Sequence, residues 1–399
     1  MNLLCLSFWT PPVVRPQSIL IGKMIPEWIR QGNTPVLVTY DICGDWDIDA
    51  PTYKIPVFYV PKMLKRIPYI QKILRKKYYE NIVNQIKPLI KEHNISLIFS
   101  FANPQESNVI GAMLKEQTGV PFVSYFSDPW YDNPYKRTCS FKNKDILKKE
   151  QFVISQSDRV LFTNNTAKDL VMKKYSVELQ EKSKVIPHCY DDALYISSKK
   201  NNKCKKIIFS HIGAFYKQRN PKFFLEALSE LFKSLPEVKK LVRVDFVGGS
   251  SKYTNFSLKQ LEQLIDNFDL RDNINILPSV SYKESLRYMS DSDMLVVIDA
   301  PFKHSPFLPS KLIDYIGSKK EIIAITPNDS PTANCVQELG YSSFDYNQLN
   351  QLVSYLKNRV QCIDQQIVVK EAVRHRYAVH STTEQLFKEF SDILHLENN

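Results

Sequence analysis

Short apolar runs rich in β-branched and aromatic residues alternate with stretches whose apolar positions recur at helical spacing, over most of the 399 residues. Such alternation predicts a parallel sheet flanked by helices. A first series has strands at 1–8, 35–40, 96–101, 122–126 and 159–163, with helices at 18–31, stopped by Gly32, and at 109–117. A second series has strands at 206–212, 242–247, 274–277, 294–298 and 322–326, and helices at 221–235, 258–267, 282–290 and 310–318. A lysine-rich polar stretch, 197–206, separates the two series. The pattern therefore implies two Rossmann-like, doubly wound α/β domains, 1–195 and 205–375, facing a central cleft, with a C-terminal helix over 380–399 returning to the first. Ligands of such sheets bind beyond the carboxyl ends of the strands.

One stretch departs from this pattern. Residues 61–92 mix Lys62, Lys65, Arg66, Lys72, Arg75, Lys76 and Lys77 with Met63, Leu64, Ile67, Ile70, Ile73 and Leu74. At helical spacing this gives an apolar face edged with positive charge, suited to lying on an anionic bilayer. A domain helix with a solvated lysine face fits the same residues. Pro68 predicts two short helices here rather than one.

Composition narrows the functional classes. The chain carries 43% hydrophobic and 24% charged residues, an ordinary globular balance. Its seven cysteines are scattered and include no C-x-x-C pair, which points to a reducing compartment without a disulfide framework or zinc site. The start MNLLCLSFW reads as a buried strand, not a signal peptide, and the apolar runs are too short to span a bilayer; a cytoplasmic protein is expected. A net charge of +11 suits an anionic partner, be it nucleic acid, phospholipid or a diphosphate. No nucleic-acid-binding motif accompanies it, so nucleic acid is not expected. Walker A, G-x-G-x-x-G, G-x-S-x-G and H-E-x-x-H motifs are absent, which removes the usual equipment of P-loop, dehydrogenase, hydrolase and zinc-peptidase chemistry.

Three segments can carry chemistry. In PFLPSKLID (306–314), Ser310 is the natural N-cap of a helix beginning at Lys311. Free amides, the helix dipole and the Lys311 amine there suit a diphosphate, and Asp314, one turn on, suits ribose hydroxyls. In HIGAFYKQRN (211–220), a strand runs into Gly213 and a loop with Lys217 and Arg219, whose guanidinium can hold a diphosphate and stabilise a departing nucleotide. In 100–134, Asn108 begins a helix, Asp128 can position a sugar hydroxyl and Trp130 can stack on a sugar ring. Each segment also reads blandly as a capped helix, two surface cations or a packing tryptophan.

Taken in order, the segments resemble the family 4 glycosyltransferases, retaining enzymes of the GT-B fold. The resemblance runs through DPW (128–130), DRVLFTNNTAKDL (158–170), VIPHCYD (185–191), HIGAFYKQR, DFVGG (245–249), 274–297 and FLPSKLIDYIGSKKEIIAIT (307–326). It places the chain in a "PSK" branch of bacterial surface-polysaccharide enzymes. It implies that Arg219 grips the donor diphosphate, that Asp314 is the second carboxylate of an E-x7-E motif, and that Pro309, Ser310 and Lys311 bring amides to the phosphates. Leu277 and Pro278 fall where backbone meets the base, beside Gly213 in the donor site. Four positions depart from the family pattern. The first carboxylate falls on Pro306, a basic residue on Ala214, the N-domain histidine on Asn108, and the glycine-rich loop on VVRPQS (13–18), where Arg15 can contact phosphate or acceptor.

The resemblance thus implies a metal-independent, cofactor-free hexosyltransferase acting on a UDP-, GDP- or dTDP-sugar. Arg219, Lys311 and Asn108 are its expected catalytic residues, and a lipid-linked glycan in cell-surface polysaccharide assembly its expected acceptor. Peripheral membrane contact through 61–92 is expected with it. Pro306, Ala214 and Asn108 motivate a contrasting expectation, a non-catalytic sugar-nucleotide-binding or scaffold subunit.

Overall fold

The computed structural model describes residues 1–134, 140–195, 206–249, 255–363, 365 and 367–397. Most of the polar stretch 197–206 lies outside them. The chain divides into two compact units, Met1–Cys189 with Val379–Asn399, and Tyr190–Ala378. Statements of number and absence below refer to the described residues.

The first unit is built on strands β1 (Asn2–Leu6), β2 (Thr34–Tyr40), β3 (Thr52–Ile55), β4 (Leu97–Phe101), β5 (Phe122–Phe126), β6 (Arg159–Phe162) and β7 (Ser183–Val185). They form one parallel sheet in the order β3-β2-β1-β4-β5-β6-β7. The order reverses between β1 and β4, so this is a doubly wound sheet. Both faces are covered, as a parallel sheet requires. The two-residue period of β1 divides its side chains between two apolar cores, Leu4 and Leu6 to one face, Leu3 and Cys5 to the other.

The second unit repeats the plan with β8 (Ile207–Ile212), β9 (Val242–Val247), β10 (Ile274–Leu277), β11 (Met294–Ile298), β12 (Glu321–Ile325) and β13 (Ser342–Phe344). The order is β10-β9-β8-β11-β12-β13, all parallel, and it reverses between β8 and β11. Strand β11, MLVVI, is buried throughout, with Met294, Val296 and Ile298 in one core and Leu295 and Val297 in the other.

The C-terminal helix Val379–Glu397 belongs to the first unit. Its Phe387 and Phe390 meet the edge of buried Trp28 at 5.5 and 6.5 Å, and Glu389 pairs with Arg159 at 2.9 Å. These aromatic contacts bury large areas and set the angle at which the chain returns.

Three local expectations are corrected. Residues 62–66 form a single 3-10 turn, and Pro68 opens one continuous 25-residue helix, Pro68–Glu92. Proline lacks an N–H that the first turn does not use, so Pro68 starts a helix there instead of dividing two. Ser310 is the first helical residue; the cap position is Pro309, with φ −61° and ψ 129°. Asn108 is the third residue of the helix Glu106–Thr118, not its first.

Helix Glu106–Thr118 packs on the sheet through Gly111, where an added Cβ would come within 2.3 Å of the Phe122 ring. Phe122 is fully buried and has no room to retreat. Gly111→Ala should therefore cost about 1–3 kcal/mol through overpacking. All four tryptophans lie in the first unit, so urea denaturation followed by tryptophan fluorescence reads this loss directly.

Candidate functional site

The carboxyl ends of β8 and β11, the neighbours at the reversal of the second sheet, deliver the residues that matter. Strand β8 runs into Gly213, whose φ of +116° is a left-handed-side conformation that suits glycine. A Cβ there would lie 2.9 Å from the Lys311 Nζ, so the absent side chain also makes room for the lysine. The amide of Gly213 donates to the Val247 carbonyl at 2.8 Å, extending the sheet by a residue. Beyond it, paired bonds between Tyr216 and Arg219, at 2.9 and 3.0 Å, close a tight turn that aims Arg219 back at the sheet edge.

Directly after strand β11 comes Asp299, which is 1% exposed. Its Oδ1 lies 3.3 Å from an Arg219 nitrogen, and its Oδ2 accepts from the Thr326 hydroxyl at 3.1 Å. From the helix Ser310–Ser318, the Lys311 amine reaches to within 3.0 Å of His211 Nε2. Burial pushes the Lys311 amine down to about 7; Arg219 lowers it further and Asp299 works the other way. The residue as a whole is half-buried, and the amine is its deeply enclosed end. No carboxylate lies within ion-pair distance of it. Arg219, Lys311 and Gly213 are thus gathered into one cluster, with Pro309 and Ser310 at the mouth of the same helix.

Asp314 has another setting. Its side chain is buried, and Oδ1 accepts from the Tyr282 hydroxyl at 2.9 Å, while its backbone carbonyl accepts from Tyr195 at 2.8 Å. Tyr315, next to it, accepts from the Ile212 amide at 2.8 Å and so ties the helix to β8. Leu277 closes β10, and its carbonyl accepts from Gly248 at 2.9 Å. Pro278 is exposed just beyond, and Lys217 is exposed in the β8 loop.

The residues expected in the first unit lie in the segments that follow its central strands β1, β4 and β5. Asn108 is fully buried; its carbonyl oxygen accepts from Ser100 Oγ at 2.7 Å, and its amide donates to Gln105 Oε1 at 3.2 Å. Asp128 accepts from Asn103 at 3.0 Å, and Trp130 packs partly buried against the apolar core. Arg15 is exposed, with its guanidinium 3.9 Å above the Trp9 ring.

Sequence reasoning gave no role to His211, Asp299, Tyr282 or Tyr195. Asp299 had a signal, a carboxylate closing a wholly apolar strand, as Asp128 nearly does after β5. His211 stood inside a quoted segment, but its value comes from a contact 100 positions away. Among the described residues, no cluster of His, Cys, Asp and Glu is arranged to hold a metal ion, and no helix is long and apolar enough to cross a membrane.

No family model matches this chain, and no curated protein matches it by sequence. Solved structures do match over its whole length. HepE of Anabaena, solved in complex with UDP, aligns with a TM-score of 0.71 at 14% identity over 98% of this chain and 100% of that one; it has also been solved with UDP-glucose. Sucrose-phosphate synthase of Thermosynechococcus elongatus gives a TM-score of 0.74 at 14% identity, covering 99% and 100% of the two chains. The lipopolysaccharide outer core galactosyltransferase WaaB, in its apo form, gives 0.61 at 12% identity over 100% of both. The fold is that of the GT-B glycosyltransferases. At these identities the likeness carries the architecture, two Rossmann-like parallel-sheet units, and the chemistry must be argued from the residues.

Arg219 and Asp299 make a buried pair with unequal access, 19% against 1%. Removing the arginine strands a carboxylate in the protein interior, a change that commonly costs about 3–5 kcal/mol. Arg219→Ala should therefore lower the thermal midpoint of the second unit, and adding Asp299→Asn should recover most of the loss. Differential scanning calorimetry of the two variants checks the pair.

Proposed function

We propose that this chain is a retaining glycosyltransferase, of the kind grouped as family 4 and its PSK branch, that moves a hexose from a nucleotide sugar to a lipid-linked glycan in cell-surface polysaccharide synthesis. The observation that carries the reading is the clustering of Arg219, paired with Asp299, and the Lys311 amine at the reversal point of the second sheet. A guanidinium and an enclosed amine with one carboxylate between them make a recess able to take added negative charge, at the place where doubly wound sheets take phosphates. The helix opening at Ser310 adds its amides and dipole.

In this reading the donor diphosphate lies on Lys311, Arg219 and the amides of Ser310 and its neighbours, against Gly213. Negative charge grows on the diphosphate as the sugar leaves, and fixed cations in an enclosed site stabilise that growth without reorganising. The acceptor oxygen then attacks from the leaving-group face, with the departing phosphate as base, so no protein nucleophile or metal ion enters the scheme. Asp314, oriented by Tyr282, is the ribose ligand, and Leu277 and Pro278 offer backbone to the base. In the first unit, Arg15, Asp128 and Trp130 serve the acceptor, and Asn108 stands where the family places a histidine. HepE in complex with UDP-glucose and WaaB as a lipopolysaccharide galactosyltransferase support a UDP-sugar donor and a surface-glycan acceptor.

A cytoplasmic, peripheral position at the membrane goes with such an acceptor. Helix Pro68–Glu92 is divided along its length. Tyr79, Ile82, Val83, Ile86 and Leu89 enter the core, while the first turns expose Ile73 among Lys72, Lys76 and Lys77. Ahead of it, Tyr59 and Met63 stand 72% and 87% exposed, and Tyr69 69%. Exposed apolar side chains ringed by lysines match an anionic lipid surface.

The contrasting reading, a sugar-nucleotide-binding subunit without catalysis, draws on particular residues: Pro306 replaces a carboxylate, and Asn108 is hydrogen-bonded inside the core. Activity separates the two. A thermal-shift panel of UDP-, GDP- and dTDP-sugars should find a donor that adds about 2.7 kcal/mol at a hundredfold excess over its dissociation constant. With that donor, Lys311→Ala and the folded double variant Arg219→Ala/Asp299→Asn should each lower transfer about 100–1000-fold. Binding without transfer or slow donor hydrolysis in the wild type selects the subunit reading instead.

The membrane contact has its own expected outcome. Lys72→Glu, Lys76→Glu and Lys77→Glu together should abolish flotation with vesicles rich in anionic phospholipid, since each nearby lysine contributes about 1 kcal/mol. Flotation unchanged by the triple variant overturns it.

A further inference from the structure

Beneath the phosphate-binding residues sits a histidine that the transfer reaction does not use. His211 is fully buried near the end of β8, its ring stacked on Phe215 at 4.4 Å and 16°. Its Nδ1 lies 2.8 Å from the Val296 carbonyl of neighbouring β11. A carbonyl only accepts, so Nδ1 carries the proton. That leaves Nε2 with a lone pair, and the atom facing it at 3.0 Å is the Lys311 Nζ. The imidazole is therefore a neutral acceptor wedged between the sheet and the amine. Burial and the nearby lysine hold His211 well below the ordinary histidine range, so it does not compete with Lys311 for a proton.

We propose that His211 is a positioning residue that fixes the Lys311 amine as a proton-completing receptor for a nucleoside diphosphate, so that the ligand enters together with a proton. This rests on the transferase reading, which supplies the diphosphate, and goes beyond it in naming the device that readies the site. The groups facing the amine are His211 from β8, Arg219 from the following turn and Asp299 from the end of β11. Asp314, on the helix of Lys311 itself, is engaged by Tyr282. Asp299 is matched to the Arg219 guanidinium, so among the described residues no carboxylate lies within ion-pair distance of the amine to hold its proton in the empty site. An arriving diphosphate supplies that negative charge, and the amine takes a proton from solvent: R–NH2 plus H+ gives R–NH3+ against the phosphate oxygens. With the empty-site amine at about 7, proton uptake is small below neutrality and grows above it. Gly213 belongs to the device, since any Cβ there would strike the amine that His211 holds.

Calorimetric titration of the full-length chain with UDP, GDP and dTDP, each in buffers of different ionisation enthalpy, tests this. The nucleotide that binds should take up close to one proton at about pH 8 and much less at about pH 6. Lys311→Met should bind with no linked proton. His211→Phe keeps the ring stack but loses the acceptor, and should weaken binding roughly 10–100-fold, the range seen when the outer partner of a ligating group is removed. His211→Gln, which restores an acceptor, should recover part of that loss. If His211→Phe fails to fold, nitrogen-15 histidine spectra of the wild type decide the geometry: the proton must reside on Nδ1, with Nε2 shifted by Lys311→Met. A proton on Nε2 overturns the proposal, as does an unaltered affinity in folded His211→Phe. Binding without proton uptake removes the receptor while sparing the transferase reading; failure of all three nucleotides to bind removes both.

Discussion

A guanidinium answered by one buried carboxylate, beside an enclosed amine that meets only an imidazole, is the interaction on which the candidate site depends, where the second sheet reverses its winding. An enclosed charge is tolerated when it is paired and hydrogen-bonded, and costly otherwise. Arg219 meets that condition through Asp299. Lys311 does so through a neutral imidazole, which supplies a hydrogen bond but no charge. Its protonated form is thus disfavoured in the empty site, and the amine titrates at about 7 in place of the usual 10.5. Because the folded pKa is the lower one, the unfolded chain binds more protons between those values, and stability rises with pH across that window. Below it, the whole cost of the enclosed cation is borne by the fold. A site that is destabilised until an anion arrives is a common property of binding centres, where perturbed groups collect.

The sheet geometry explains how this arrangement is reached by so few residues. In a doubly wound sheet the chain leaves the two strands flanking the reversal in opposite directions, which opens a crevice at their carboxyl ends. Strand β8 ends on His211 and Ile212, with Gly213 directly after; β11 ends on Ile298, with Asp299 directly after. Buried on both faces, these strands are rigid, and what lies at their ends is held as firmly as the core. Tyr315 adds a cross-tie from the lysine-bearing helix to the Ile212 amide, and Tyr195 a second tie to the Asp314 carbonyl. Both ties hold the turn that follows Lys311, and the helix start itself has no capping side chain, since Pro309 has none to give.

Much of this was legible in the amino-acid sequence, and the reason is periodicity. MLVVI announces itself because a central parallel strand is apolar on both faces, and VRVDFV by its alternation of Val242, Val244 and Phe246 with Arg243 and Asp245; the bounds of both coincide with the structure residue for residue. Local chemistry was harder. Ser310 reads as a cap by type, yet a proline with an extended ψ moves the helix start ahead by one residue. Pro68 reads as a break, yet it falls where a helix begins. Hidden altogether was the partnership of His211 with Lys311, because it joins residues 100 positions apart and depends on a tautomer set by a third strand residue, Val296. Pairings across the sheet leave no spacing signature; the type of residue is visible and its correspondent is not.

The same charge relations give physical meaning to the position at which the chain departs from the family it resembles. Pro306, buried eight positions before Asp314, stands where that family carries an acidic group. The carboxylate whose charge is felt at Lys311 is Asp299. Asp299 is 1% exposed, and it faces Arg219 at 3.3 Å and the Thr326 hydroxyl at 3.1 Å. It serves as a fixed floor under Arg219, too deep to meet a ligand. Asp299 answers the charge of Arg219, and among the described residues no carboxylate lies within ion-pair distance of the Lys311 amine. Under the proposed donor-binding role, an anion at that amine would supply the missing charge, and electrostatic attraction in an enclosed site of low dielectric exceeds that in water. The proposed affinity for a diphosphate and the lowered stability of the empty fold would then share one cause, the enclosed amine.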